Sequence, residues 1–288
     1  MSDAPEFDRA PASSFAYVTL VTNRDYVLGA SALLRSLRRT DTGADLVVLF
    51  TPGVDEQDLS VLRPFKPRLG RCGRLPTSAE FNQLHERGRL HAAAPFTKGG
   101  KPVFHTPLDN FVKLRLWQLD EYEKVVFIDA DALVLKNCDK LFSYPEFCAA
   151  PNVYEGLADF QRMNSGVFTA RPDRATFDAM LSQLDRPGTF WRRTDQSFLE
   201  SFFPDWHGLP VYYNMLQYVW FNLPDLWDWG QIHVLHYQYE KPWQAGHEKA
   251  ERLRLLIDLW QAYASGDGIP DDLSGLPGPE APADKRAS

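Results

Sequence analysis

The run Lys124–Leu135, KVVFIDADALVL, constrains this chain more than any other stretch. It is the most strand-like segment in the sequence, and it is apolar on both sides of two carboxylates, Asp129 and Asp131. A strand buried on both faces reads as such a continuous apolar run and belongs to a sheet covered by helices. In open α/β sheets, ligands bind beyond the carboxyl ends of the strands. Residues two apart in an extended segment project to the same side, so both carboxylates can reach one ion. Burying two like charges is costly without a cation. Carboxylates together with phosphate oxygens suit Mg²⁺ or Mn²⁺. The plainer reading is a strand end whose carboxylates cap a turn.

The segments around this run complete an α/β pattern. FAYVTLVT, from Phe15, reads as a buried strand ended by Asn23. Tyr26 to Arg39 places Val27, Ala30, Leu33, Leu34 and Leu37 on one helical face. ADLVVLFT is a second strand, and Asp55 to Phe65 a second helix with Asp55 as N-cap. LDNFVKLRLWQL reads as a helix, FCAAP and Ser165–Ala170 as strands, and Asp173–Leu184 and Thr194–Phe203 as helices. Gln231–His236 is a further strand and Glu248–Tyr263 an apolar-faced helix. Strand–helix alternation of this kind predicts a parallel α/β sheet. Residues 1–14 and 264–288 are small, polar and rich in Pro or Gly, which predicts disorder. Residues 67–107 show no period and read as an irregular insertion with a short helix near Ala79–Glu86.

Composition excludes several classes. With 44% hydrophobic and 24% charged residues among 288, the chain is an ordinary globular protein. Its formal charge of −7 argues against nucleic acid or an anionic membrane as main partner. Much of that charge sits in the predicted tails: residues 1–14 carry −2 and 264–288 carry −3, leaving −2 for the rest. Three widely spaced cysteines form neither a disulfide framework nor a zinc pattern. No signal peptide and no run long enough to span a membrane is visible, so a cytoplasmic location without integral membrane association is expected. GxGxxG, Walker A and GxSxG fingerprints are all missing from the sequence.

Other polar positions accompany the carboxylates. His236 ends a predicted strand in Leu235-His236-Tyr237, and Lys241-Pro242-Trp243 follows. A neutral imidazole can complete a metal shell, and the lysine can hold a leaving phosphate. The bland alternative is a structural histidine. Asn164-Ser165-Gly166 reads either as a simple turn or as a polar turn facing sugar hydroxyls. Thr194-Asp195-Gln196 is a helix start with an acidic first turn.

Taken in order, VTLVTNRDYVLGA, LDNFVKLRLWQL, VVFIDADALVL, NSGVF, DQSFL and LHYQYEKPW resemble glycosyltransferase family 8, from about Phe15 to Trp243. The resemblance implies a GT-A fold: one Rossmann-like nucleotide-binding α/β domain, here 15–263, with a mixed central sheet flanked by helices. It implies a retaining, metal-dependent transfer of a hexose from a UDP-sugar, expected to be UDP-glucose or UDP-galactose, to a carbohydrate or other hydroxyl acceptor. Leu20, Thr22, Asn23 and Tyr26 match the uridine segment, with Tyr26 as ring partner of uracil. Lys113 matches the helix lysine near the diphosphate and sugar. Asp129, Asp131 and His236 match the metal ligands for Mn²⁺ or Mg²⁺, and Ala130 the ribose contact. Asn164, Ser165 and Gly166 match the sugar turn. Asp195 and Gln196 match the pair near the reacting carbon, with Asp195 as nucleophile or as orienting group. Lys241 matches the diphosphate lysine.

Two departures stand out. Where glycogenin, a member of that family, has a glycine and one more residue between histidine and lysine, this chain has Tyr237-Gln238-Tyr239-Glu240. No tyrosine occupies Trp220 or Phe221, near which glycogenin's self-glucosylated tyrosine falls. Tyr237 and Trp243 join Tyr26 as aromatic candidates for the site. A homodimer is compatible with the chain. The competing functions are a non-catalytic UDP-sugar-binding module and a sugar-1-phosphate nucleotidyltransferase.

Overall fold

The computed structural model describes residues 4–86, 107–244 and 246–279. Its framework is a mixed sheet built from β1 (Glu6–Phe7), β2 (Phe15–Val21), β3 (Asp45–Phe50), β4 (Arg68–Arg71), β5 (Lys124–Ile128), β7 (Cys148–Pro151), β8 (Met163–Ala170) and β9 (His207–Gly208). The spatial order is β1-β4-β3-β2-β5-β8-β7-β9. The strands β4, β3, β2 and β5 run parallel, whereas β8 lies antiparallel to β5 and to β7. Alternation along each central strand feeds two cores. Tyr17, Leu46, Val48, Val126 and Ile128 face the helix Arg24–Arg38, which contributes Val27, Ala30, Leu33, Leu34 and Leu37. Ala16, Val18, Val47, Leu49, Val125 and Phe127 face the opposite side, with Leu114, Trp117, Phe177 and Phe198.

A second sheet of three strands, β10 (Met215–Leu216), β11 (Val234–His236) and β6 (Ala132–Val134), lies in the order β10-β11-β6. It shares a third core with Trp229, Leu256 and Trp260, the last two from the helix Arg254–Ser265. The run Lys124–Leu135 is therefore two strands in two sheets, not one. The Asp129 N–H extends the β5 ladder by one bond to the Gly166 carbonyl (2.8 Å), and the Ala132 N–H then closes a turn on the Asp129 carbonyl (3.1 Å). Apolar residues on both sides of the carboxylates hide this reversal from any reading by pattern.

Several other expectations change. Residues 4–14 lie along the sheet edge: Glu6 and Phe7 pair with Arg71 and Gly70, and the Ala12 N–H donates to Asp45. One aromatic ring secures the strand, since the Arg68 guanidinium sits 4.2 Å over Phe7. The predicted disorder of 264–288 does not hold for 264–279, where Leu273 and Leu276 pack on the third core and the Trp229 indole donates to the Pro277 carbonyl. Residues 280–288 lie outside the described residues. Within the predicted insertion, 67–86 holds β4 and the helix Ala79–Leu84, while 87–106 lies outside the described residues. Asp55 precedes the short helix Glu56–Leu59 without a side-chain cap bond. LDNFVKLRLWQL forms a turn of α-helix, Pro107–Asn110, and a 3₁₀ helix, Phe111–Gln118, in which every residue is buried.

Candidate active site

The site grows from the turn between the two sheets. Pairing of β11 with β6 sets His236 opposite Ala132, one residue past Asp131, and the Tyr237 N–H bonds to the Asp131 carbonyl. His236 Nε2 then lies 3.2 Å from Asp131 Oδ1 and 3.9 Å from Asp129 Oδ2. One ligand atom from each of Asp129, Asp131 and His236 falls within 4.8 Å of the others. His236 Nδ1 lies 2.9 Å from Asn214 Oδ1. An amide oxygen can only accept, so Nδ1 carries a proton and Nε2 is the nitrogen turned to the carboxylates. Asn214 donates in turn to Asn164, and Asn164 to Asn152, each at 2.8 Å. This relay fixes the tautomer that a metal ligand needs. Two carboxylates and one imidazole suit a hard or borderline divalent cation.

Two glycines make the approach feasible. A Cβ on Gly166 would stand 2.4 Å from His236 Cε1, and one on Gly29 would stand 2.5 Å from the Ala130 carbonyl oxygen. Gly166 thus leaves room for the imidazole, and Gly29 lets the first helix reach the turn.

Two buried lysines flank the carboxylates. Lys241 Nζ bonds Asp131 Oδ2 and, at 2.9 Å, the Tyr237 carbonyl. Burial alone would raise the Asp131 carboxyl, but Lys241 and His236 hold it well below the ordinary carboxylate range. Burial, and less strongly the Asp131 charge, push the Asp129 carboxyl up against the pull of Lys113. Lys113 Nζ reaches Asp129 (3.0 Å), Asp195 (2.9 Å) and the Ser165 carbonyl (3.0 Å), and it lies 4.5 Å from the Phe127 ring centroid. Burial disfavours the charge on Lys113, yet Asp129 and Asp195 together raise its pKa.

Asp195 opens the helix Asp195–Phe202 and is 4% exposed. Its Oδ2 accepts from Lys113 and from the Ser165 hydroxyl (2.8 Å), and its Oδ1 accepts from the Thr194 hydroxyl (2.9 Å). Thr194 has φ 52° and ψ −128°, a conformation that costs a non-glycine residue about 1–3 kcal/mol. The Asn110 amide donates to the Thr194 hydroxyl (3.2 Å), so a contact from the 3₁₀ side helps hold the strained residue.

These groups line a cavity of about 290 Å³ together with Leu20, Thr22, Tyr26, Ala130, Asn164 and Gln196. Of the residues singled out in the sequence, Asn23 and Gly166 do not line it. Asn23 caps the first helix, accepting from the Asp25 and Tyr26 N–H groups. Tyr237 is also outside the cavity, donating to the Leu256 carbonyl in the third core. Trp243 stands behind the cavity, edge-on to Tyr26 at 5.7 Å. Burial pushes the Tyr26 phenol up to about 12, so it stays neutral. Sequence reasoning missed the lining residues Asn152, Tyr154, Arg192, Arg193, Gln238 and Tyr239. They come from irregular connections, where no period marks the inward side. For Tyr239 the available signal was its position between His236 and Lys241.

Residues 17–246 match Glycosyl transferase family 8. UDP-glucuronate:xylan alpha-glucuronosyltransferase 2 of Arabidopsis thaliana is 32% identical over 238 residues, 79% of this chain and 35% of that protein. Glycogenin-2 of Homo sapiens is 38% identical over 206 residues, 69% of this chain and 37% of that protein. The chain spans little more than a third of the length of these curated relatives. The glycosyltransferase GlyE of Streptococcus pneumoniae superposes with a TM-score of 0.59 at 17% identity, over 86% of this chain and 59% of that one. The galactosyltransferase LgtC, in complex with donor and acceptor sugar analogues, gives 0.56 at 16% identity, over 89% and 98%. At such identities the likeness to the solved structures concerns the fold. Among the described residues, no helix is long and apolar enough to cross a membrane.

Proposed function

Because the chain belongs to glycosyltransferase family 8 and has its GT-A fold, we propose that it moves a hexose from a UDP-sugar to a carbohydrate or other hydroxyl acceptor, with retention and with Mn²⁺. The observation that carries this reading is the Asp129–Asp131–His236 cluster, one wall of a cavity that also holds two buried lysines. A divalent cation held there would offset the charge developing on the leaving diphosphate.

The chain's own residues supply the rest. Tyr26 offers a neutral ring to the base, beside Leu20 and Thr22. Lys241, anchored on the Tyr237 carbonyl, can move its charge from Asp131 to a phosphate oxygen and stabilise negative charge there. Lys113 bridges the metal cluster and Asp195, where diphosphate and sugar would join. Asn164, Ser165 and Gln196 orient the sugar hydroxyls. Asp195, with three hydrogen bonds on its two oxygens, is suited to orienting the sugar rather than to attacking it. The acceptor oxygen then adds on the face that UDP leaves, and its proton passes to a departing phosphate oxygen. UDP-glucose and UDP-galactose are the first donors to test. UDP-glucuronate is the second reading, favoured by Arg192 and Arg193 in the cavity wall, whose guanidinium forks match a carboxylate.

Calorimetry with UDP and each UDP-sugar, with and without Mn²⁺, tests the proposal. Mn²⁺-dependent binding that Asp131→Asn abolishes is the expected result. Equal, metal-independent binding by both proteins would overturn it.

A further inference from the structure

Tyr239 is one of four described non-glycine residues with positive φ, at 65°, and among these only it and Thr194 line the cavity. Left-handed backbone is uncommon for a bulky residue and persists only where its surroundings over-determine it. Here they do. The Gln217 side chain donates to the Gln238 and Glu240 carbonyls, and the Gln217 N–H donates to Gln238 Oε1. The buried Glu240 carboxylate accepts from the Tyr218 hydroxyl and from Lys249 Nζ (2.7 Å). Both residues adjoining Tyr239 are thus anchored, and the strain goes into presenting its ring. That ring stands 5.7 Å from Tyr154 at 62° and 5.0 Å from the buried Tyr218. Tyr154 also lines the cavity, and the Asn222 amide ties its carbonyl (2.8 Å) to the third core.

Neither ring is required by the donor as assigned above. Uridine has Tyr26, the diphosphate has the carboxylate cluster and Lys241, and the hexose has Lys113, Asn164, Ser165 and Gln196. What the two tyrosines add to the cavity lining is two ring surfaces set at 62° to each other, each carrying a hydroxyl. The C–H face of a pyranose is the matching surface, with its hydroxyls left to bond at the rim. Leu157 and Phe160, a few residues further along the chain, are 59% and 57% exposed.

We propose that Tyr154 and Tyr239 form the acceptor wall of this site and that its occupant is a neutral oligosaccharide, stacked by its sugar rings. The proposal rests on the transferase reading. It also gives the strained tyrosine a purpose, since a backbone held in this conformation fixes the ring's direction before the acceptor arrives.

The test uses the full chain loaded with UDP and Mn²⁺, with xylotriose, maltotriose and cellotriose as probes, followed by saturation-transfer NMR and titration. UDP affinity is measured on the same samples. At least one trisaccharide binds the wild type. Tyr154→Ala and Tyr239→Ala each weaken it about tenfold, the scale of losing one stacked ring. Tyr239→Phe, which keeps the ring, binds within about twofold of wild type. With an active donor, the same alanine variants raise the acceptor KM far more than the donor KM. A wild type that binds UDP but no trisaccharide, or alanine variants that bind as wild type does, would overturn the acceptor wall alone. A Tyr239→Phe loss equal to that of alanine would overturn stacking as its basis. Failure of the wild type to bind UDP would overturn the transferase reading and the wall with it.

Discussion

The two ends of the cavity are built differently. At one end Asp131, His236 and Lys241 pair among themselves, with charges that a cation and a diphosphate would re-partner. At the other end Asp195 is closed by Lys113, Ser165 and Thr194, and Thr194 is itself held by Asn110. The first arrangement is a balance of opposed charges. The second is a rigid fixture whose bonds are already made. The contrast sets charge neutralisation against orientation, and Lys113, bonded to both Asp129 and Asp195, is the side chain that joins them.

Asp131→Asn is expected to have the largest effect. It removes one proposed metal ligand and leaves Lys241 without its carboxylate, so turnover should fall by roughly 10³-fold or more, on the scale of losing a principal electrostatic group. Steady-state rates and Mn²⁺-dependent UDP titration check this together. Asp195→Asn should split the two ends: kcat falls about 10²–10³-fold, while Mn²⁺-dependent UDP affinity stays near wild type. A parallel loss of UDP affinity would show that the ends are one network. Asn214→Ala leaves His236 Nδ1 without its acceptor and should weaken Mn²⁺ binding about 10–100-fold, read by metal titration of the UDP complex.

The smallest expected effect lies beside the rigid end. His85 is fully buried, accepts from the Trp191 N–H (2.9 Å) and sits beside the Phe81, Phe111 and Phe190 rings. Burial lowers its pKa, with smaller opposing contributions from the Phe81 carbonyl and Asp185. Its folded value is below the unfolded value of about 6.5. The unfolded chain therefore binds the extra proton first as pH falls. The His85 contribution to stability is complete above about pH 6.5 and shrinks as pH drops toward the folded pKa. The melting temperature should decline between pH 7 and 5, and His85→Gln should flatten that part of the profile. An unchanged profile would detach His85 from the loop that carries Arg192 to Asp195.

Much of this was legible beforehand because the informative segments are buried on both faces. FAYVTLVT, ADLVVLF and KVVFI could hardly be anything but central strands, and Asp173 announces a helix start that the structure retains. The reading failed where burial removes the contrast it relies on. Phe111–Gln118 is buried all round, with Lys113, Arg115 and Gln118 buried among its apolar residues, so no stripe distinguishes a 3₁₀ helix from an α-helix. The edge strand Glu6–Phe7 and the cover by Leu273 and Leu276 depend on single side chains inside polar, Pro- and Gly-containing stretches.

By itself the sequence determined the central strands, the carboxylates at the end of one of them, and the histidine and lysine types that accompany them. Those properties are local: hydrophobic period, chain polarity and side-chain chemistry. The tertiary structure decided that Asp129 and Asp131 sit in a reversal between two sheets, that Asn214 sets the His236 tautomer, and that Thr194 and Tyr239 occupy strained backbone. Each of these depends on strand pairing or hydrogen bonds between residues tens of positions apart, or on side chains anchoring the backbone from outside the segment. Neither period nor composition carries that information.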